Sequence, residues 1–385
     1  MRIVHVQPHI LRVRAAHSYL GATVDGEPPP GYTVRAPWRS LYSDSYETVL
    51  VEVRSADGTT GWGEALTPVG PEVVAAVITS LLGPHLVARG SQGPRETWFA
   101  MRALMRERGH LGGHQADALA AVDMALWDLH ARLVGLPLTQ LAGGALREEI
   151  PCYLSGLPSP DPGERAALAY AAHADGVRRI KLHLGQGVDA DLAVVDALLD
   201  LDLDLTLAVD AHWAYSLTDA VVLAEALADR GCWFLEAPLA PEDLRGHQQL
   251  SERTRIPIAA GEAMRHRYEV APWLQQRALS ILQPDVARTG LTEALAMAEL
   301  ASAEHIPLAP HHSVCSPVAF AAGVQLSRLV PDLVAFEYQP YPLDATAAVL
   351  AGAAGWTATT ARLPDIPGLG IEVDAAAVRR MCVAC

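Results

Sequence analysis

The sequence predicts an α/β protein in which a parallel barrel of eight strands follows a smaller α+β domain. Three observations carry this. From Ile150 onward, short apolar runs alternate with alanine- and leucine-rich stretches of helical length, the rhythm of a parallel sheet wrapped by helices. Eight such runs occur, the number that closes a barrel. One ionisable residue stands at or just past the end of seven of them.

The first domain reads as antiparallel sheet followed by helices. Arg2–Val6 alternates apolar and polar residues, and Thr48–Val53 is a second strand. Asp57-Gly58 supplies a hairpin turn, and Gly61-Trp-Gly-Glu64 begins the return strand. Between the first two strands lies an irregular segment, 20–45, holding Pro28-Pro29-Pro30-Gly31. A segment this long is either disordered or functional, for example as a lid. From Pro71 to Leu141 the pattern is helical, with a proline-free helix over Ala116–Leu133 and closing breaks at Gly135-Leu-Pro and Gly143-Gly144. His5, His9, His17, Tyr19 and Trp38 lie on or near the first strand and the long segment, where a core or surface role competes with contact to a ligand. His110 and His114 read as a polar loop before the helix.

The barrel runs are Ile150–Leu154, Arg178–Leu182, Leu203–Val209, Cys232–Leu235, Ile256–Ala259, Leu279–Leu282, Ile306–Ala309 and Leu333–Phe336. After Tyr341 the chain turns alanine-rich, and Leu363–Val373 reads as a loop and strand returning to the first domain. The expected division is therefore 1–149 with 341–385 as one domain, and 150–340 as the barrel.

Composition narrows the partners. A net charge of -15 over 385 residues leaves no basic stripe for nucleic acid. An anionic small molecule remains compatible, because a bound cation reverses the local field. The apolar runs are far short of a membrane span, and Met1–His5 leads straight into a strand pattern without a signal peptide. A cytoplasmic protein is expected. Five cysteines at scattered spacing suit reduced thiols, and Cys382-Val-Ala-Cys385 reads as a chance CxxC at the tail. No phosphate-cradling glycine motif supports a nucleotide cofactor.

The chemistry-bearing positions are Lys181, Asp210, Glu236, Glu262, Asp285, His311 and Glu337, recurring 23 to 29 residues apart. Barrel strand ends form one rim, so these side chains are expected to converge. Lys181 and His183 alternate on one side of their strand. Taken alone they equally suit a solvated strand end. Asp210, Glu236 and Glu262 come from three consecutive strands, and singly each could be a helix cap or a salt-bridge partner. Together their mutual repulsion calls for a divalent cation, and all-oxygen ligands favour Mg²⁺.

At these residues the chain resembles the enolase superfamily, in its mandelate racemase-like, acid-sugar dehydratase branch. The resemblance runs nearly end to end, through Gly61-Trp-Gly-Glu64, Ala121–Asp128, Val209-Asp-Ala-His212, Phe234-Leu-Glu-Ala-Pro238, Ala260-Gly-Glu262, Leu282-Gln-Pro-Asp285, Ala309-Pro-His311 and Phe336-Glu-Tyr338. It implies a capping domain over a modified TIM barrel, (β/α)₇β. It implies Mg²⁺ on Asp210, Glu236 and Glu262, and removal of the proton α to a substrate carboxylate through an enediolate. Lys181 would be a base on one face, its pKa lowered by the cation. His311 would act from the other face, oriented by Asp285. Glu337, if protonated, would donate a hydrogen bond to the carboxylate of the intermediate. His311 rather than His312 falls where the Ala-Pro-His pattern places the catalytic ring.

Two departures matter. His183 stands where racemase-like relatives carry a second lysine, and His212 stands two residues after Asp210, as in galactonate-type dehydratases. The resemblance thus implies dehydration of a sugar acid to a 2-keto-3-deoxy acid, with His212 or His311 protonating the leaving hydroxyl. Racemisation, epimerisation or cycloisomerisation of a hydroxy acid is the alternative. A non-catalytic sugar-acid or metal-binding protein is a third, opposed by the full Asp285, His311 and Glu337 set. Relatives of this kind are commonly homo-oligomers.

Overall fold

The computed structural model describes residues 1–15, 31–34, 40–353 and 355–384. His17, Tyr19, Trp38 and most of the 20–45 segment lie outside them. Five strands open the chain: β1 (Ile3–Arg14), β2 (Tyr32–Val34), β3 (Leu41–Ser43), β4 (Ser45–Ser55) and β5 (Thr60–Leu66). The barrel strands follow as β6 (Ile150–Ser155), β7 (Arg179–His183), β8 (Thr206–Asp210), β9 (Leu235–Glu236), β10 (Ile258–Ala260), β11 (Ile281–Leu282) and β12 (Phe336–Tyr338). The tail adds β13 (Thr360–Ala361) and β14 (Cys382–Ala384).

The cap is an antiparallel sheet in the order β14-β1-β4-β5. The last strand of the tail thus pairs with β1 of the cap, while β13 pairs antiparallel with barrel strand β6. The helix His114–Val134 lies across this sheet, and glycine makes the approach possible. A Cβ on Gly61 would sit 2.3 Å from the Ala125 carbonyl oxygen, and one on Gly63 2.0 Å from that of Ala121. Asp128 on the same helix accepts from Trp62 N at 2.9 Å and Leu369 N at 2.8 Å, tying sheet, helix and tail together. The helical stretch Pro71–Arg89 has the length and hydropathy of a membrane span, a correction to the reading that no run approaches one. Its Val74, Ile78, Leu82 and Leu86 are fully buried in the cap core, as in a helix of a folded domain.

The second sheet is parallel, in the order β11-β10-β9-β8-β7-β6-β12. The seventh predicted run, Ile306–Ala309, is reduced to bridges: Leu308 pairs in parallel with Leu282 on one side and Leu333 on the other. These close the sheet and yield seven strand–helix units and a final strand. Several strands are two or three residues long, shorter than their apolar runs. The β2–β3 hairpin lies within the 20–45 segment. Cys152, Cys232 and Cys315 are free thiols. Cys382 is disulfide-bonded, which corrects the reduced-thiol expectation there; Cys385 lies outside the described residues.

Candidate active site

Register decides which side chains share a level. In the parallel ladder His183 pairs with Asp210, and Asp210 with Glu236, so these three form one rung at the strand ends. Lys181 pairs with Ala208, two rungs deeper. The recurrence of ionisable residues along the chain therefore hides a difference in depth.

Lys181 is completely buried. Its Nζ lies 2.9 Å from both Glu236 carboxylate oxygens and 2.7 Å from Glu337 Oε1. Burial alone would lower the ammonium pKa, but Glu236 and Glu337 outweigh it and hold it well above the ordinary lysine value. The lowering expected of Lys181 depends on a bound cation; without one, these two carboxylates set the direction. Glu337 is governed by the same cluster of charges. Burial pushes its pKa up, yet Lys181 and His311 overrule this and bring it to about 2. Ser155 donates to Glu337 Oε1 at 2.5 Å. Glu236 is where the crowding of negative charge is relieved, by keeping a proton. Burial first, then Asp210, Glu337 and Glu262, against the pull of Lys181, push it up to about 8, and Gln283 Nε2 donates to it at 2.6 Å.

His311 is held at both nitrogens. Nδ1 lies 2.7 Å from Asp285 Oδ2, and Nε2 lies 2.8 Å from Glu262 Oε2. Burial opposes the imidazolium, but Glu262, Glu337 and Asp285 raise its pKa well above the usual histidine value. Asp285 also caps the helix Val286–Ala303, accepting from Ala287 N at 2.7 Å. Both jobs lock its carboxylate in place. His312 turns away, packing against Phe320 and Phe336 with ring centroids 5.1 and 6.2 Å off. His183 is buried, its pKa lowered to about 4 by that burial; its Nε2 is 3.2 Å from Ser155 Oγ and 3.9 Å from Asp210 Oδ2.

His212 sits on a strained turn. His212 and Trp213 both have left-handed backbone, φ 49° and 56°, a conformation that costs energy in residues with a Cβ. Two bonds hold it: His212 N donates to Asp210 Oδ1 at 2.8 Å, and Trp213 N to the Ala237 carbonyl at 2.6 Å. The ring reaches the cap, with Nε2 2.6 Å from the Tyr42 hydroxyl. A cavity of about 190 Å³ lies between barrel rim and cap, bordered by His212, His311, Glu262, Tyr42, Tyr46 and Arg288, but not by Lys181. Sequence reasoning missed Tyr42, Tyr46, Ser155, Gln283 and Arg288. The signals available were the long 20–45 segment for Tyr42, and proximity to Asp285 for Gln283 and Arg288.

The carboxylates fit a divalent cation. Asp210, Glu236, Glu262, Asp285 and Glu337 surround Lys181 and His311, and after burial itself the neighbouring carboxylates Asp210, Glu337 and Glu262 add to the upward shift of Glu236. The side chains are nevertheless arranged differently from the expected set. Among the described residues, the donor atoms within 4.8 Å of one another belong to Glu236, His311 and Glu337. Asp210 and Glu262 flank Glu236 but are turned toward His212 N and His311 Nε2.

Comparison with known proteins agrees with this architecture. Residues 38–143 match the mandelate racemase / muconate lactonizing enzyme N-terminal domain, and residues 164–377 the enolase C-terminal domain-like family. The chain belongs to the enolase superfamily, in its mandelate racemase-like, acid-sugar branch. It is 31% identical to a D-galactarolactone cycloisomerase of Agrobacterium fabrum, over 87% of this chain and 91% of the relative. It is 29% identical to a D-galactonate dehydratase of Ralstonia nicotianae, over 86% and 90%. Its structure superposes on an enolase superfamily member from Agrobacterium tumefaciens with a TM-score of 0.92 at 31% identity, covering 98% of each chain. A racemase from Streptomyces coelicolor with bound magnesium matches with a TM-score of 0.85 at 25% identity, over 99% of this chain and 100% of the racemase.

Proposed function

We propose that the protein is a Mg²⁺-dependent sugar-acid dehydratase, with residues 1–149 and 341–385 forming the cap over a catalytic barrel of residues 150–340. One observation carries the reading: two imidazoles, His311 and His212, border the same cavity, while Lys181 lies beneath it. Inversion at carbon needs bases on opposed faces, and Lys181 is engaged by Glu236 and Glu337 instead. Elimination needs a proton acceptor and a proton donor facing one substrate, which this pair supplies.

In this reading Asp210, Glu236 and Glu262 hold the cation, which supplies Lewis-acid stabilisation of charge developing on the substrate carboxylate. Asp285 holds the Nδ1–H of His311, and with Glu262 turned to the cation instead of to Nε2 the ring would give up its second proton, leaving Nε2 to take the α proton. His212, fixed by its turn and by Tyr42, hands a proton to the departing β-hydroxyl. His183, neutral because it is buried, serves as a hydrogen-bonding neighbour of Asp210 and Ser155.

A second reading, cycloisomerisation of a sugar-acid lactone, draws on the 31% identity to a protein of that activity. The same α proton is removed, and a ring oxygen departs in place of hydroxide. Incubation with aldonic acids and their lactones in D₂O separates these outcomes by mass. A keto product lighter by one water supports dehydration. An isomeric keto acid from a lactone supports the second reading, and deuterium uptake into unchanged acid rejects both.

A further inference from the structure

Two polar groups at the cavity, the Arg288 Nε and the Tyr46 hydroxyl, are buried without a hydrogen-bond partner among the described residues, and the proposed reaction uses neither. Arg288 lies on the first turn of the helix that Asp285 caps, and it borders the cavity together with His311 and Glu262. Its Nε is buried without a hydrogen-bond acceptor, and among the described residues no carboxylate pairs with its guanidinium. Tyr46, on the cap strand β4, is 4% exposed and borders the same cavity, and its hydroxyl is also buried without a partner. A buried polar group left unsatisfied is costly, more so beside a charge. The carboxylates of the site have other partners: Glu236 and Glu337 pair with Lys181, Glu262 with His311, and Asp285 caps the helix.

We propose that Arg288 and Tyr46 form a subsite for a second carboxylate, so that the preferred substrate is a dicarboxylic sugar acid rather than a monocarboxylic aldonate. The assignment rests on the sugar-acid reading above and deepens it. The reacting carboxylate faces the acidic rim, where a cation compensates its charge. The distal carboxylate then meets a guanidinium, which matches carboxylate geometry with paired N–H donors. Burial pushes the Tyr46 hydroxyl up to about 12, so it remains a donor at any physiological pH. A neutral hydroxymethyl terminus would leave the guanidinium without its counter-charge.

Calorimetric titration of the Mg²⁺-loaded protein with galactarate and with galactonate tests this directly. A charge-assisted hydrogen bond discriminates by about tenfold or more, so wild type is expected to bind the dicarboxylate at least about tenfold more tightly. Arg288→Gln and Tyr46→Phe should each shrink that ratio, Arg288→Gln toward one, and Arg288→Lys should restore part of it. Equal affinity for the two acids in wild type, or a preference that survives Arg288→Gln, overturns the subsite. Tighter binding of a 6-phosphogluconate probe than of galactarate overturns it as well, in favour of a phosphate site. Turnover followed in the same samples keeps the two readings apart. A binding preference that depends on Arg288 without any keto product upholds the subsite and rejects the dehydratase.

Discussion

Glu64 on cap strand β5 accepts from both the backbone N and the hydroxyl of Ser316, at 2.6 and 2.7 Å, across the junction between cap and barrel. Ser316 caps the helix Pro317–Leu329, five residues after His311 in the chain. The same carboxylate takes Ala319 N at 2.8 Å and Thr48 Oγ1 at 2.7 Å. A completely buried acid is thereby satisfied at a helix N-terminus, where the macrodipole favours negative charge. The cap is thus anchored to the loop that carries a proposed catalytic ring.

Replacing this acid should therefore loosen the whole junction. Glu64→Ala strands several buried donors and is expected to lower unfolding stability by roughly 3 kcal/mol. Urea denaturation followed by circular dichroism checks it, and an unchanged midpoint would show that the contacts are dispensable.

The close approach of sheet and helix makes a second stability prediction. Gly63→Ala places a methyl 2.0 Å from the Ala121 carbonyl oxygen, backbone against backbone, with no flexible side chain to yield. A loss of about 3 kcal/mol or more is expected, at the upper end of overpacking costs. A fully soluble variant with wild-type melting behaviour contradicts the packing described.

Buried Asp123 gives a pH signature away from the active site. It accepts from Thr292 N at 2.8 Å and Thr292 Oγ1 at 2.6 Å, and burial pushes its pKa up to about 7. The folded state then holds a proton that the unfolded state releases near the ordinary aspartate value. Its contribution to stability is full below about pH 4 and fades as pH rises toward 7. Asp123→Asn keeps the shape and cannot ionise, so comparison of melting curves from pH 4 to 8 should show a flatter profile in the variant. Parallel profiles would dismiss the assignment.

His311→Asn is expected to reduce turnover of the responsive sugar acid by roughly 10²–10⁴-fold while leaving the circular dichroism spectrum intact. Asp285→Asn should reduce it less, by disturbing the ring's tautomer. Activity retained in His311→Asn moves the proton transfer to another residue.

Removal of divalent cations should abolish turnover and lower the melting temperature, because the crowded carboxylates then lose their compensating charge. Added Mg²⁺ stabilises the folded state in proportion to the logarithm of its concentration above Kd. A melting temperature indifferent to chelator and to Mg²⁺ would falsify a metal role for Asp210, Glu236 and Glu262.

Much of this architecture is legible without coordinates. Alternating apolar runs identify a parallel barrel because buried strands must be apolar, and their spacing reflects one helix between neighbours. The glycines flanking Trp62 and the Asp285, His311 and Glu337 positions are local in kind, each tied to a strand end or turn that a few residues specify. Depth is not local. Lys181 and His183 differ by two rungs, and only the ladder pairing with Ala208 and Asp210 separates a buried ammonium from a rim imidazole. Nor do strand-length patterns show that Leu308 completes the barrel by bridges alone.

The chain by itself determined which chemistry is available: carboxylates, imidazoles and a lysine recurring at strand ends, under a cap built from both termini. Tertiary structure decided which of them face the cavity. Charge balance does this work, since Lys181 is drawn under Glu236 and Glu337, and His311 is drawn between Asp285 and Glu262. Residues from distant segments, Tyr42, Tyr46 and Arg288, complete the wall because the folded cap and barrel bring them there, and no spacing along the chain encodes that meeting.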